Sequence, residues 1–379
     1  MASAEFDKQS PVLITGAGGF VGRNLVATLK TRGYTDLMLF EKEDTLETLT
    51  AYCRRAAFVV HLAGINRPKD PSEFYTGNAG LTDTMLSLLE EAGSQAPVLV
   101  TSSIQAELDN DYGKSKLQAE QAIFTHGQHT GAPVFIFRME GVFGKWCRPN
   151  YNSVVATFCH NSANGLPLSV RDPEYRLPLV YIDDVVASFV GALDGNCTRE
   201  GDYCVVPVVH ETTLGHLAQT IEGFAKNRET LDVPDQTPGS LEQKLYSTWL
   251  SYLPADRFSY PLNMHCDNRG SFTEFLHTPA HGQVSINISK PGIVKGNHWH
   301  HSKNEKFPVV KGAGVIRFRA LDSTEVIEYH VSGDKLEVVD IPTGYTHNIE
   351  NVGQDDMVTV MWANEVFDPD HPDTFFLPV

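Results

Sequence analysis

The stretch PVLITGAGGFVG (residues 11–22) decides the fold of the N-terminal half of this chain. An apolar run ends in a loop that places Gly16, Gly19 and Gly22 three residues apart, and a helix-like segment follows. Glycine lets a backbone approach a pyrophosphate closely, and a helix N-terminus supplies unpaired N–H donors and a positive dipole. A strand, a glycine loop and a helix in this order predict a dinucleotide site rather than an ordinary tight turn.

Short apolar runs and helix-like segments alternate up to about residue 225. The runs DLMLF, AAFVVHLAG, APVLVTSS and APVFIFR are almost continuous in apolar residues, as strands buried on both faces are. Segments such as RNLVATLKTRG and LTDTMLSLLEEAG lie between them. This alternation predicts an α/β fold with a Rossmann-like, doubly wound parallel sheet.

The pattern changes after a stretch rich in Pro, Ser and Asp, residues 228–260, where we place a linker. Beyond it, QVSINIS, GAGVIRFRAL and MVTVMWANEVF alternate apolar with polar residues between Gly, Pro and Asn turns. Such alternation is typical of antiparallel strands with one solvated face, in a barrel or a sandwich. We therefore expect two domains, residues 1–253 and 262–379.

Composition excludes several classes of partner. The formal net charge of −17 over 379 residues repels phosphate backbones and anionic lipids, so we expect neither nucleic acid nor membrane partners. The sequence has no apolar run of membrane-spanning length and no signal-peptide pattern. Its six cysteines form no CxxC pair, as expected for thiols in a reducing compartment. We expect a cytoplasmic protein.

The segment DYGKSK carries a candidate catalytic pair, Tyr112 and Lys116, which helical spacing places on one face. An ammonium beside a phenol lowers the phenol pKa from about 10, so the side chain can exchange a proton near neutral pH. Just upstream, VTSSIQ ends a strand with Ser102 and Ser103, and either hydroxyl could hydrogen-bond a substrate carbonyl. A YxxxK spacing alone is common on surface helices, but the glycine loop and VVHLAG beside it favour catalysis.

The second strand ends in LMLFEKED, which bears on the choice of dinucleotide. An acid at this point accepts the ribose hydroxyls of NAD, whereas a basic group suits the 2′-phosphate of NADP. Glu41 and Lys42 offer one of each, so these residues leave the choice open.

Residues 11 to about 225, including YIDDVV, resemble the extended short-chain dehydrogenase/reductases that act on nucleotide sugars. The resemblance implies Tyr112 as acid/base, Lys116 as its electrostatic partner and Ser103 as the group that orients the carbonyl.

The same resemblance implies further contacts with cofactor or substrate. It places Arg138 at the substrate, while the family's Arg-x-x-Asn pattern reads RMEG here, with Gly141 in place of the asparagine. Besides the glycines and the two residues after the second strand, the predicted cofactor contacts are Phe20, Leu62, Ala63, Gly64, Asn78 and Ser102.

Near the other end, GIVKGNHWHHSKNEKFPVVKG (residues 292–312) clusters candidate metal ligands. Alternate residues of a strand share a face, so His298 and His300 point the same way. With Glu305 and, in PTGYTHNIEN, His347, the spacing resembles the two motifs of the cupin family, which implies a double-stranded β-helix barrel. Nitrogen and oxygen ligands suit Zn, Mn, Fe or Ni, and we take zinc as the prediction. A lone HxH would be a chance surface cluster.

The segment DNRGSFTEF is similar to part of the sugar-nucleotide 3,5-epimerases of the cupin fold, which implies that Arg269 and Glu274 contact substrate. If His298 is a metal ligand, it cannot also abstract a proton, and another base is needed. The candidates for that base are Lys303, Lys306, Tyr345 and His301.

Over nearly its full length the chain resembles the CapF-like family of bifunctional capsule-sugar enzymes, including RPNYNS around Asn152, a predicted substrate contact. The resemblance implies a homodimer that epimerises a UDP-2-acetamido-2,6-dideoxy-4-ketohexose at carbon 3 in the cupin. It further implies reduction of the carbon 4 ketone with NADPH in the N-terminal domain.

Two alternatives remain open. The chain could be an NADPH-dependent UDP-4-ketosugar reductase whose cupin is a structural dimerisation module. It could also be a non-enzymatic redox or sugar sensor, although a sensor has no need of the Tyr112 proton donor.

Overall fold

A computed structural model describes residues 6–65, 70, 79–278 and 282–379, which form two compact units. The first unit comprises the chain up to Glu222 together with Gly239–Pro254, and the second comprises Gly223–Pro238 and Ala255–Val379.

The helices and strands follow the predicted order. The helices are α1 Phe20–Thr31, α2 Leu46–Arg55, α3 Leu81–Glu91, α4 Asp111–Thr130, α5 Val154–Ala163, α6 Ile182–Leu193, α7 Leu214–Thr230 and α8 Leu241–Leu250. The strands of the first unit are β1 Val12–Thr15, β2 Leu37–Phe40, β3 Phe58–His61, β4 Val98–Ser103, β5 Val134–Met139, β6 Gly141–Phe143, β7 Arg176–Tyr181, β8 Arg199–Glu200, β9 Tyr203–Cys204 and β10 His210–Thr213. The strands of the second unit are β11 His265–Asp267, β12 Gly270–Thr278, β13 Gly282–Ser289, β14 Val294–Trp299, β15 Glu305–Lys311, β16 Ala313–Ala320, β17 Val326–Ser332, β18 Val338–Ile341, β19 Tyr345–Asn351, β20 Met357–Ala363 and β21 Phe375–Phe376. Among the described helices, none combines the length and apolar character needed to cross a membrane.

The first unit is built on a sheet in the order β2-β1-β3-β4-β5-β9-β8, whose first five strands run parallel. Alternate residues of β1 are buried in two separate cores. Val12 and Ile14 belong to the core that contains Leu25 of α1 and Phe189 of α6, whereas Leu13 belongs to the core formed with α2, α3 and α4. Helices therefore cover both faces of the sheet, which confirms the predicted Rossmann-like fold.

The parallel register places the ends of several strands at one edge of this sheet. Thr15 pairs with both Phe40 and His61, so the loops that follow β1, β2 and β3 leave the sheet side by side. β4 also ends at this edge, at Ser103. Ligands of open parallel sheets bind at the carboxyl ends of the strands, and this edge carries the predicted motifs.

The second unit consists of two antiparallel sheets, in the orders β11-β12-β13-β20-β15-β18 and β17-β16-β19-β14-β21. Phe307 and Val309 of the first sheet share a core with Ile316 and Ile349 of the second. This arrangement confirms an all-β domain of the cupin type.

The predicted linker contains regular structure. Within residues 228–260, α8 begins after its cap Ser240 and buries Trp249 completely, because aromatic and aliphatic residues recur on one face of that helix. The segment before α8 also pairs with β12. The His277 N–H donates to Leu231 O at 2.7 Å and the Val233 N–H donates to His277 O at 2.8 Å. The sequence analysis predicted neither feature, because the segment is rich in Pro and Ser.

Candidate functional site

The glycine loop after β1 is packed so closely that Gly16 and Gly22 have no room for side chains. Gly16 has a φ of +68°, and a Cβ there would lie 2.8 Å from the Cα of Ala63. A Cβ on Gly22 would lie 2.3 Å from Gly16 O. α1 begins at Phe20, directly after the loop, and the N–H groups of its first turn have no partner within the helix. The loop therefore combines close backbone packing with donors for an anion.

The predicted residues after β3 lie against the same loop. The Leu62 N–H donates to Thr15 O at 3.1 Å, the Ala63 N–H donates to Thr15 Oγ1 at 3.3 Å, and Gly64 is exposed. Asn78 lies outside the described residues.

The two residues after β2 are placed differently. The Glu41 carboxylate accepts the N–H of Gly18 in the glycine loop, whereas Lys42 is exposed to solvent. The Glu41 N–H in turn donates to the Asp44 carboxylate at 2.7 Å.

Ser103, Tyr112 and Lys116 come together at the end of β4. The Ser103 and Tyr112 side chains are hydrogen-bonded, and the Lys116 Nζ lies 5.9 Å from the centroid of the Tyr112 ring. Gly113 makes this possible, because a Cβ there would lie 2.2 Å from the backbone oxygen of Gln105, in the turn that follows Ser103. α4 can thus approach the strand end closely.

Desolvation dominates the electrostatics of this trio. Burial raises the pKa of the Tyr112 phenol, and the hydrogen bond with Ser103 opposes that rise. Desolvation lowers the pKa of Lys116 to about 8, against the charge of Glu120, and the ammonium donates to Thr101 O at 3.2 Å. The sequence predicted a lowered phenol pKa. The structure gives the opposite direction, because desolvation of the phenolate outweighs the hydrogen bond with Ser103.

Glu120, which the sequence analysis missed, organises the surroundings of the trio. Its side chain is fully buried and binds the Arg138 guanidinium through Nε at 3.0 Å and Nη2 at 2.7 Å. Arg138 also donates to Glu107 and to the Tyr203 hydroxyl, and Ser102 donates its hydroxyl to Glu120. Arg138 and Ser102 are therefore engaged inside the protein, and their predicted contacts with substrate and cofactor stay predictions.

Glu120 could have been found from the sequence by helical spacing. It lies four residues after Lys116 and eight after Tyr112, so it shares their face of α4. Tyr203, by contrast, had no local signal. The predicted substrate residue Asn152 is exposed, directly before the cap Ser153 of α5.

His61, at the end of β3, is a buried structural residue. Its ring lies 2.7 Å from Thr15 Oγ1 and 2.9 Å from Thr82 Oγ1. Burial, followed by the charge of Lys116, lowers the pKa of His61 to about 3, so the ring is neutral.

In the second unit, the four predicted metal ligands converge. One potential ligand atom from each of His298, His300, Glu305 and His347 lies within 4.8 Å of the others. The Glu305 Oε2 is 3.3 Å from His300 Nε2 and 3.4 Å from His347 Nε2. β14 and β19 pair His298 directly with His347, and β15 begins at Glu305.

The protonation states of this cluster fit a divalent metal. Burial lowers the pKa of His298 to about 4, so its ring is neutral at neutral pH. Burial alone would raise the pKa of Glu305, but the His300 and His347 rings beside it hold that pKa well below its usual range. Both ring nitrogens of His347 are buried without a hydrogen-bond partner among the described residues, and Nε2 is the one that faces Glu305. A neutral imidazole at His298, an ionised carboxylate at Glu305 and an unpartnered nitrogen at His347 suit a metal of the zinc type.

The C-terminal segment holds the loop between these ligands. The Asp373 carboxylate accepts the N–H groups of His301, Ser302 and Lys303 at 2.7–2.8 Å. Its backbone oxygen lies 2.5 Å from His300 Nδ1, which leaves Nε2 of that ring for the cluster. Asp373 thereby fixes the orientation of a predicted ligand.

A cavity of about 700 Å³ opens beside the cluster. Arg269 and Glu274, the predicted substrate residues, line it together with His298. Lys303 is the one base candidate that lines it, and its ammonium donates to Thr374 Oγ1 at 3.0 Å.

The other three base candidates have different surroundings. Lys306 pairs with Asp340 and is exposed, as is His301, and Tyr345 packs against the core of the second unit. Lys295, which the sequence analysis missed, also lines the cavity and donates to Asn287 Oδ1 at 2.6 Å.

The first unit is thus a nucleotide-binding domain of the short-chain dehydrogenase/reductase class, and the second is a cupin-type domain with a His/Glu cluster. The family model "NAD dependent epimerase/dehydratase family" matches residues 12–204, and "Polysaccharide biosynthesis C-terminal domain" matches residues 265–375.

Individual proteins agree with these matches. The chain is 46% identical to the UDP-2-acetamido-2,6-beta-L-arabino-hexul-4-ose reductase of Pseudomonas aeruginosa, over 96% of this chain and 97% of that protein. The capsular polysaccharide assembling protein CapF of Staphylococcus aureus superposes with a TM-score of 0.92 at 51% identity, covering 97% of this chain and 100% of CapF. The UDP-glucose 4-epimerase of Thermus thermophilus shares the fold alone, with 19% identity and a TM-score of 0.52 over 64% of this chain and 98% of that one. The chain therefore belongs to the CapF-like family, and its N-terminal unit belongs to the NAD-dependent epimerase/dehydratases.

Proposed function

We propose that this chain is a bifunctional sugar-nucleotide enzyme of capsular or O-antigen polysaccharide synthesis. The second unit epimerises a UDP-2-acetamido-2,6-dideoxy-4-ketohexose at carbon 3. The first unit reduces the carbon 4 ketone to give UDP-2-acetamido-2,6-dideoxy-L-talose, on the route to UDP-N-acetyl-L-fucosamine. The observation that carries the proposal is the meeting of Ser103, Tyr112 and Lys116 at the sheet edge that also carries the glycine loop, in a chain akin to a 4-ketosugar reductase.

The reduction uses the trio at the end of β4. A reduced nicotinamide dinucleotide, NADPH in the prediction from the sequence, supplies the hydride when bound. Ser103 orients the ketone, and Tyr112, kept protonated by burial, donates a proton to its oxygen. Such a positioned acid contributes about 10²–10⁴-fold to the rate. Lys116, beside the phenol ring, stabilises the negative charge that the proton leaves behind.

The epimerisation uses the cavity of the second unit. The carbon 3 proton is acidic because the neighbouring ketone delocalises the charge left by its removal. A divalent metal, zinc in the prediction, supplies Lewis acidity when bound by His298, His300, Glu305 and His347. Lys303, which lines the cavity, takes the carbon 3 proton as the free amine and becomes an ammonium, and a proton from water returns to carbon 3 on the opposite face. Arg269 and Glu274, from the segment DNRGSFTEF, line the same cavity and contact the sugar nucleotide.

Deuterium incorporation tests this division of labour. In deuterated water without nicotinamide, we expect the intact chain and Tyr112→Phe to introduce deuterium at carbon 3, read by mass spectrometry, while Lys303→Ala does not. With nicotinamide, Tyr112→Phe loses ketone reduction.

The alternative is a reductase whose cupin serves only in dimerisation. It predicts an unlabelled carbon 3 in every variant, with reduction intact in Lys303→Ala, and that result would refute the epimerase. The homodimer and the cytoplasmic location remain predictions from the resemblance and the composition, and sedimentation of the full chain tests the first.

A further inference from the structure

The loop after β2 is rich in acidic residues, and it lies where a bound dinucleotide would place the ribose 2′ group that differs between NAD and NADP. Within residues 41–44 three carboxylates accompany a single lysine. Glu43 and Asp44 are exposed, and Glu41 is half-buried against the glycine loop.

The Glu41 side chain has a fixed position. Its Oε1 accepts the Gly18 N–H, and a Cβ on Gly18 would lie 3.0 Å from that oxygen. The Asp44 carboxylate holds the Glu41 N–H, and the Asp44 N–H donates back to Glu41 O at 3.1 Å. This reciprocal pair closes the turn and keeps both carboxylates at the end of β2.

The position of Glu41 matches the expected place of the adenosine ribose. When a pyrophosphate lies on a glycine loop between β1 and α1, the ribose of the adenosine half reaches the end of β2. A carboxylate there accepts hydrogen bonds from both ribose hydroxyls. A 2′-phosphate at the same point would add ~2 negative charges next to Glu41 and Asp44, and these carboxylates would repel it. Lys42, pointing to solvent at this turn, is outnumbered.

We infer that Glu41 selects a dinucleotide with a free 2′-hydroxyl, so that NADH rather than NADPH is the preferred reductant of this chain. The inference rests on the proposed reductase function and refines it. It differs from the dinucleotide that the family resemblance implied, because Glu41 rather than Lys42 faces the loop.

Calorimetric titration of the full-length chain with NAD⁺ and NADP⁺ tests the inference without depending on turnover. Wild type should bind NAD⁺ about 10- to 100-fold more tightly, as expected for hydrogen bonds to one charged group. Glu41→Gln, which keeps the shape and removes the charge, should bring the ratio of the two affinities closer to one. Glu41→Arg should reverse the preference. Asp36→Asn, which removes an acid from the turn before β2 where it pairs with Arg55, is the matched control and should leave the ratio unchanged.

The outcomes separate the two proposals. Equal or tighter binding of NADP⁺ by wild type, or an unchanged ratio in Glu41→Arg, overturns the role of Glu41 and leaves the reductase standing. Failure of wild type to bind either dinucleotide overturns the reductase itself, and the inference with it.

Discussion

At the scale of single residues, Glu120 determines what several neighbouring side chains can do. It is buried, and it holds the guanidinium of Arg138, the hydroxyl of Ser102 and, through charge, the ammonium of Lys116. The resemblance to the nucleotide-sugar dehydrogenase/reductases implied that Arg138 and Ser102 contact ligands. In the structure both side chains bond Glu120 on the helix that carries Tyr112.

Arg138→Ala should therefore damage the fold more than substrate binding. Removing one partner of a buried ion pair costs about 3–5 kcal/mol of unfolding free energy, because the other charge is left desolvated. Urea unfolding of the variant measures that loss. Arg55→Ala, at an exposed ion pair with Asp36, is the control and should cost at most about 1 kcal/mol. A stable Arg138→Ala with a raised KM would favour the substrate role instead.

His61 should make the stability of the first unit depend on pH. The unfolded chain takes up a proton at this residue below a pKa of about 6.5, whereas the folded pKa is about 3. Between these values the unfolded state binds more protons, so stability falls as the pH falls, by about 2 kcal/mol from pH 6.5 to 5. Urea unfolding at the two pH values should show a smaller loss in His61→Gln. The exposed control His129→Gln should behave as wild type, and equal losses in all three proteins would contradict this account.

At the scale of elements, the strands of the second unit show that alternation identifies a strand without saying which face is inside. In β13 the buried positions are polar, namely Gln283, Ser285, Asn287 and Ser289, while the apolar positions between them are half-buried. Gln283 and Asn287 line the cavity. A polar inner face is what a site for a sugar nucleotide requires, and it inverts the usual pattern of a barrel wall.

Asp373, next to β21, is not a predicted metal ligand, but it should raise the metal affinity because it orients His300 and holds the loop that follows. Asp373→Asn replaces an anion that accepts three backbone N–H groups, so the loop that carries His301, Ser302 and Lys303 should loosen. We expect zinc affinity to fall about 10- to 100-fold, as for other partners of metal ligands. Competition with a chromogenic chelator measures it. Asp370→Asn, an exposed change in the same segment, is the control, and equal affinities in the two variants would exclude the role of Asp373.

At the scale of the whole molecule, the two proposed sites belong to separate units of the chain. The Ser103–Tyr112–Lys116 trio lies in the first unit, and the His/Glu cluster with its cavity lies in the second. In the proposed function one ketone serves both reactions, since it acidifies carbon 3 and is then reduced at carbon 4. Reduction ends further epimerisation, which fixes the order of the two steps.

Variants inactive at different sites should consequently complement each other in one solution. If the proposed function holds, Tyr112→Phe should epimerise without reducing, and Lys303→Ala should reduce without epimerising. An equimolar mixture should form the talose product, at a rate that rises with protein concentration because the intermediate diffuses between chains. Liquid chromatography of the UDP-sugars follows it. A mixture that makes no more product than either variant alone would show that the two steps are not separable in this way.

The sequence by itself determined the two fold classes, the glycine loop, the Tyr112–Lys116 spacing and the gathering of His298, His300 and Glu305. Each of these is local, and helix and strand periodicity fix the relative directions of residues a few positions apart. The division into two domains could also be predicted, because buried parallel strands and half-exposed antiparallel strands differ in composition.

Only the tertiary structure decided which distant residues complete each site. Asp373 contacts the loop after His300, about seventy residues away in sequence. Glu120 on α4 binds Arg138 on β5. Lys303 lines the cavity, whereas Lys306 does not. Sheet order and burial set these partnerships, and neither is encoded in local spacing. The same holds for desolvation, which raised the pKa of Tyr112 where its neighbouring lysine alone predicted a fall, because the cost of burying a charge depends on everything packed around it.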